Sequence, residues 1–185
     1  MNLEKQNLPC TVDVAGRAWR VKTDFRYGLL FYRFIKERKP LNEYALFFDG
    51  DSPDMSGEAG SALVAFYADK PPLPRGGGGD DGEVLSDWWQ DGDLIYAAFM
   101  ESYGIDLFDV RLHWHKFLAL FRGLHDTKLN EVIGIRSWKA GDKTKPDAHM
   151  RRLKAAWRIE PDDTRESDPA YQKFMAKLAK GKKQS

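Results

Sequence analysis

The sequence predicts a mainly α-helical protein, in which an N-terminal β-hairpin is followed by a multi-helix bundle with a Gly/Pro-rich linker mid-chain. Three observations carry this expectation. Cys10-Thr-Val-Asp-Val14 and Arg17-Ala-Trp-Arg-Val-Lys22 alternate with period 2 around Ala15-Gly16, the pattern of two short strands joined by a tight turn. From Phe25 onward, apolar residues recur at helical spacing behind side chains suited to capping. Pro71-Pro-Leu-Pro-Arg-Gly-Gly-Gly-Gly-Asp-Asp-Gly82 contains three prolines that lack amide donors and five glycines that are entropically costly to order, so it is expected to be a linker. The chain therefore divides into a hairpin-and-helix segment (1–70), the linker (71–83), a helical core (84–160) and a basic C-terminal helix and tail (161–185).

Thr23 or Asp24 offers the N-cap of a first helix, Phe25 to Arg38, which Lys39-Pro40 stops. Leu41 to Phe48 reads as a second, short helix. Asp49-Gly-Asp-Ser-Pro-Asp54 is a loop, and Ser56 to Tyr67 is a third helix. Beyond the linker, Val84 to Gln90 is expected to make one or two helical turns. Asp91 or Asp93 then caps a helix that Gly104 ends in the left-handed conformation. Arg111 to Leu124 places Trp114, Phe117, Leu118 and Phe121 on one apolar face. Thr127 caps Lys128 to Lys139, Pro146-Asp147 opens a basic helix reaching Ile159, and Asp168-Pro169 opens a last one ending near Gly181.

Hydrophobic residues make up 42% of the 185 positions and aromatic residues 13%, which is too apolar for disorder throughout. Cys10 is the one cysteine, so neither an intrachain disulfide nor a cysteine-based zinc site can form, in keeping with a reducing compartment. The sequence shows no standard export signal or membrane span, and a soluble protein is expected. Net charge is +1, but Arg136 to Ser185 holds fourteen Lys/Arg against seven Asp/Glu, leaving fifteen against twenty-one before it. This asymmetry fits a solvated basic helix, or an arm for an acidic partner such as nucleic acid.

Motifs for catalysis are mostly missing. On a helix, His113 and His115 lie about 200° apart and cannot converge on one ion; in an extended connector they would share a face, which leaves a metal site open. The loop at Asp49 has Pro53 and Gly60 where a calcium loop needs ligands. Gly76 to Gly79 lacks the Gly-Lys-Ser/Thr of a phosphate loop, and Gly141-Asp-Lys-Thr144 lacks the upstream glycine. Cys10 has no nucleophile signature around it, and no Gly-x-Ser-x-Gly elbow occurs. The acid pairs Asp80/Asp81, Asp91/Asp93 and Asp106/Asp109 sit beside helix starts, where capping is their expected work. Trp88, Trp89, Tyr96, Phe99, Tyr103, Trp114 and Phe117 are spaced as facing helices would space a core, with a recognition surface as the alternative. No catalytic residue, cofactor or metal is assigned, and the chain is not expected to be an enzyme.

Asp93-Leu-Ile-Tyr-Ala-Ala-Phe99, Tyr103-Gly-Ile-Asp-Leu107 and Leu112-His-Trp-His-Lys-Phe-Leu-Ala-Leu-Phe-Arg-Gly-Leu124, followed by Ile133-Gly-Ile-Arg136 and His149-Met-Arg-Arg-Leu-Lys154, resemble a family of small proteins of tailed bacteriophages and prophages encoded near the tape-measure gene. The resemblance covers about Asp87 to Ile159 and is weaker in the hairpin and first helix. His115 departs from it, since a second Trp is expected beside Trp114. The resemblance implies a tail assembly chaperone of the host bacterial cytoplasm that coats the tape-measure protein, keeps that helix-forming chain soluble, helps recruit tube subunits and then leaves. It implies no catalysis. Further partners would be the tail tube protein, a second tail assembly chaperone and other copies of this chain. Such a role asks for an apolar groove or face that takes amphipathic helices. The candidate contact residues are Trp88, Trp89, Tyr96 and Trp114, together with Arg151, Arg152, Lys154, Trp157 and Arg158 of the basic helix. The alternatives are a structural tail component retained in the virion and, with less in its favour, a nucleic-acid-binding phage protein.

Overall fold

A computed structural model describes residues 7–68, 84–140 and 147–160. The whole linker, the start of the basic helix and the whole expected C-terminal helix lie outside these described residues. Strands β1 (Thr11–Val14) and β2 (Arg17–Arg20) pair antiparallel, with Val12 opposite Trp19 and Val14 opposite Arg17. Ala15 and Gly16 both have positive φ, the two-residue turn whose twist matches that of the strands it joins. The alternation in β1 turns Val12 and Val14 inward. The Ala15 N–H donates to the Glu58 carboxylate at 2.7 Å, tying the hairpin tip to the second α-helix.

The helices are α1 (Phe25–Lys36), a 3-10 helix (Leu41–Phe47), α2 (Gly57–Tyr67), α3 (Gly92–Tyr103), α4 (Trp114–Gly123), α5 (Lys128–Ser137) and α6 (Asp147–Ala156). Their ends follow local chemistry. Asp24 caps α1 by accepting from the Arg26 N–H, and Ser56 caps α2. Gly104, at φ 63°, ends α3, and Thr127 and Asn130 cap α5 reciprocally. The fold is therefore mainly helical behind a hairpin, as expected.

The segments before and after the linker share one core, which runs from Val12 to Leu129. The starts of α1 and α4 are joined by a short antiparallel bridge, in which the Phe25 N–H donates to Leu112 O (2.8 Å) and the Trp114 N–H to Thr23 O (2.6 Å). Trp114 then passes under α1. A Cβ on Gly28 would lie 2.2 Å from the indole, inside any allowed contact, so only glycine permits this crossing. The indole N–H donates to Tyr67 O at 3.0 Å and reaches α2. Trp114 is thus a fully buried core residue, which corrects its place among the candidate contact residues.

Two further expectations are corrected at the start of α3. Residues 84–90 form no helix; a turn spans Trp88 to Asp91. Asp87 caps this turn: its Oδ1 accepts the N–H groups of both Trp89 and Gln90 at 2.9 Å, and the Asp91 N–H donates to Asp87 O at 3.0 Å. Asp91 makes no side-chain cap for α3. Instead its two oxygens take a fork from Arg136 of α5, Nη1 to Oδ2 at 2.7 Å and Nη2 to Oδ1 at 2.8 Å, with both side chains buried. The Asp87 N–H also donates to Asp91 Oδ2. Arg136 further donates to Leu85 O and to Trp157 O, just past α6. A smaller cluster of Ile135, Trp138 and Met150 packs α6 on α5, with Trp157 against it.

Breaking a buried ion pair by removing one partner leaves an uncompensated charge and costs about 3–5 kcal/mol. Arg136→Ala is expected to lower the urea-unfolding free energy by about that much. Replacing both partners with apolar residues, as in Asp91→Leu with Arg136→Met, is expected to recover most of the loss. A single variant as stable as the wild type would show that the pair holds nothing together.

Candidate functional site

Arg26 connects the ordering of α1 to the segment joining α3 and α4. Its Nη2 donates to the carbonyls of Leu107 (2.7 Å) and Phe108 (3.1 Å), its Nη1 to that of Val110 (3.3 Å), and Asp24 neutralises it from the other side. The connector is thereby held against α1, and Phe108 is left pointing into solvent with 79% of its surface exposed. A large aromatic side chain so exposed, on a backbone so fixed, calls for explanation.

Phe108 stands at the edge of an apolar groove of about 380 Å³. One wall is α1, through Phe25, Leu29, Leu30 and Arg33. The other is the turn bearing Trp88 and Trp89, the first turns of α3 with Gly92, Ile95 and Tyr96, and then Leu107 and Phe108. Phe117 of α4 closes the floor, stacked on Phe25 at 4.8 Å between ring centroids and on Phe99 at 5.1 Å. The Tyr96 and Phe108 rings lie 5.2 Å apart, and the Arg33 guanidinium sits 4.5 Å over the Trp89 ring. The groove opens to solvent, and its apolar lining suits a few large apolar side chains of a docked helix. Beyond it, Met100 and Tyr103 of α3 are also exposed, continuing from Tyr96 at i+4 and i+7. A charged cavity of about 480 Å³ between the hairpin and α1 has a different character: Arg20 pairs with Asp49, Arg26 with Asp24, and Lys22 donates to Leu46 O.

The structure separates the candidate residues named from sequence. Trp88, Trp89 and Tyr96 come together in the groove, with Trp114 beneath them, its ring 6.3 Å from that of Trp88. The basic set lies elsewhere, on and just after α6. There Arg151 and Arg152 are exposed, Arg151 near Asp147 at 3.7 Å. Lys154 donates to Trp138 O, Trp157 packs on α5 beneath the Lys128 ammonium, and Arg158 forks onto Glu160. Lys154 and Trp157 thus hold this segment to the body of the protein. Phe25, Arg26, Leu29, Arg33, Leu107 and Phe108 were missed from sequence. The available signal was an apolar pair, Leu107-Phe108, set between the acids Asp106 and Asp109 in a connector.

The two histidines are closer than a continuous helix would place them, because α4 starts at Trp114 and His113 is its N-cap. Their ring centroids are 5.2 Å apart. His113 Nδ1 accepts from the His115 N–H (3.1 Å), and its Nε2–H donates to Pro9 O (2.9 Å). His115 Nε2–H donates to Phe66 O (2.9 Å). The imidazoles join α4 to the segment before β1 and to α2. Among the described residues, no three His, Cys, Asp or Glu side chains gather as a metal cage requires, and no helix is long and apolar enough to cross a membrane.

Residues 58–159 match the sequence profile of a family described as Bacteriophage Gp15 protein. The match starts within α2 and ends just past α6, covering more than half of the chain and the whole α3 side of the groove, while α1 lies outside it. Neither a curated protein nor a solved structure matches the chain.

Desolvation, aided by the charges of His115 and Lys116 and opposed by the bond to Pro9, holds the His113 pKa below the usual 6.5. The folded state therefore binds fewer protons than the unfolded chain just below pH 6.5, and stability falls as pH drops from about 6.5 towards the lowered pKa. Protonating Nδ1 would also remove the acceptor that caps α4. In thermal melts between pH 8 and 5, His113→Asn, whose side-chain oxygen can still cap, is expected to flatten this dependence, and an unchanged slope would assign it to other groups.

Proposed function

The chain belongs to the Bacteriophage Gp15 protein family, and we propose that it is a tail assembly chaperone that binds the tape-measure protein, keeps it soluble during tail morphogenesis and helps recruit tube subunits. In this reading the protein works in the host bacterial cytoplasm and carries out no catalysis. Its further partners are the tail tube protein, a second chaperone and other copies of itself.

The observation that carries the proposal is the open apolar groove with Phe108 exposed at its edge. A tape-measure protein is a long helix-former that must bury an apolar stripe before the tube exists. An amphipathic helix presents large side chains at i, i+3, i+4 and i+7, and the groove can receive them between α1 and α3. Low single-site affinity suits such a role, because many copies along one partner add avidity and can still be shed when the tube forms. A permanent tail component would use the same groove. The two readings part at the purified virion, from which a chaperone is missing. The acids Asp106 and Asp109 beside Tyr96 disfavour a phosphate backbone at the groove, so nucleic acid would have to be met by the exposed Arg151 and Arg152 instead.

Co-expression with the tape-measure protein of the same phage tests the proposal. The wild-type chain is expected to bring that protein into the soluble fraction and to co-purify with it. Burying one Phe side chain is worth about 1.5–3 kcal/mol, so Phe108→Asp should weaken binding about ten- to a hundredfold while leaving the circular dichroism spectrum unchanged. A tape-measure protein that stays insoluble with the wild type, or is recovered equally with Phe108→Asp, would overturn the reading.

A further inference from the structure

Between Arg75 and Arg111 the sequence contains no lysine or arginine, and this stretch supplies one wall of the groove and the exposed residues beyond it. Two of its carboxylates are matched by cations from elsewhere in the chain. Asp87 meets Lys36 of α1 at 3.2 Å, and Asp91 takes the fork from Arg136. Asp93, Glu101, Asp106 and Asp109 form no ion pair among the described residues. The cations of the α1 wall are already engaged, Arg26 by Asp24 and three carbonyls and Arg33 by Glu37, so they do not neutralise these acids.

The unmatched charge lies beside the exposed rings. Asp106 Oδ2 accepts from the Tyr96 hydroxyl at 3.3 Å and its Oδ1 from the Phe108 N–H at 2.8 Å, which fixes one carboxylate between the two aromatic residues at that end of the groove. Asp109 follows Phe108 and is exposed, and Asp93 stands one helical turn before Tyr96. Burial, the charge and hydrogen bond of Asp106 and the charge of Asp109 push the Tyr96 phenol pKa up, a sign of negative potential there. The surface is apolar and anionic together. An apolar segment without cations would cover these carboxylates and leave them unmatched, and an acidic one would be repelled. A second copy of this chain does not offer a suitable helix from its described residues, because basic α6 already turns Met150 and Leu153 onto α5.

We propose that the occupant of the α1–α3 groove is a basic amphipathic helix of the client protein, with apolar anchors in the groove and flanking Lys or Arg side chains against Asp106 and Asp109 at the Phe108 end. This rests on the groove being the docking surface named above and adds the charge of the client. Exposed ion pairs hold little by themselves. Complementary charges at a rim act mainly on encounter, raising the association rate in a salt-dependent way, while the buried anchors govern release. The acids thus select which helices are captured, and the groove sets how long they stay.

Two labelled synthetic helices of about 18 residues, long enough to form alone, test this with the full chain. Both carry leucines at i, i+3, i+4 and i+7; one is flanked by lysines and its twin by glutamates. The wild type is expected to bind the lysine helix at least about tenfold more tightly at about 50 mM salt, a difference of about 1.4 kcal/mol. The preference should lie mostly in the association rate and shrink at about 300 mM salt. Asp106→Asn with Asp109→Lys, which keeps an acceptor for the Phe108 N–H, should erase it. Glu43→Gln with Asp51→Lys makes the same change of charge at exposed positions outside the groove and should leave it intact. Phe108→Ala should weaken both helices. Equal binding of the two helices by the wild type would overturn the inference, as would an equal loss of preference in the control variant, or a lysine helix held as tightly by Phe108→Ala. Recovery of the tape-measure protein by the wild-type chain is read separately: a charge preference without recovery removes the chaperone reading alone, and recovery without a charge preference removes this inference alone.

Discussion

The buried fork between Arg136 and Asp91 is the constraint on which the geometry of the groove depends. It joins α5 to the start of α3 across 45 residues of sequence, and its spare donors take the carbonyls of Leu85 and Trp157. Four parts of the chain therefore meet at one guanidinium: the segment leading to the Trp88 turn, α3, α5 and the end of the α6 segment. Burying both charges costs several kcal/mol per ion, which the mutual attraction and the added hydrogen bonds offset only when geometry is good. The pair contributes less to net stability than to uniqueness, because a hydrophobic pair would pack without fixing where Trp88 and Trp89 stand. A binding groove needs that fixity, since a wall that shifts would have to be ordered again in each complex.

The rest of the body is arranged around Trp114. It sits against bare backbone at Gly28 and reaches Tyr67 through its indole N–H, so that α1, α2 and α4 are packed about one side chain. Phe117 stacks between Phe25 and Phe99 one turn later. With so many rings committed to the interior, the apolar side chains left over on α3 and its connector are covered only in part: Tyr96 is half-buried against Phe108, and Met100, Tyr103 and Phe108 stay exposed. Tyr96, Met100, Tyr103 and Phe108 form this remainder, and the proposed chaperone role gives it a purpose.

Local chemistry was legible in the sequence and distant chemistry was not. The Ala15-Gly16 turn, the Asp24 and Thr127 caps and the Gly104 stop each depend on a few adjacent residues, and each stands where the pattern puts it. Asp91 was misread as a cap because its position before an apolar run is what a cap looks like, while its real partner is 45 residues away. His113 shows the opposite error: a helix drawn through it hid the fact that it caps α4. Of the groove, the sequence supplied Trp88, Trp89 and Tyr96 but not the α1 wall, because amphipathic spacing shows that a face is apolar without showing whether it is covered. Trp114 and Trp88 are equivalent in composition, and only the three-dimensional packing buries one fully and leaves the other lining an opening.

The central claim is that the surface between α1 and α3 receives a partner's helix. Hydrogen–deuterium exchange of the full chain, alone and saturated with soluble fragments of the tape-measure protein, tests it most directly. The account predicts slowed exchange concentrated in residues 25–33, 88–96 and 105–110. Protection confined to residues 147–158, or none anywhere, would contradict it.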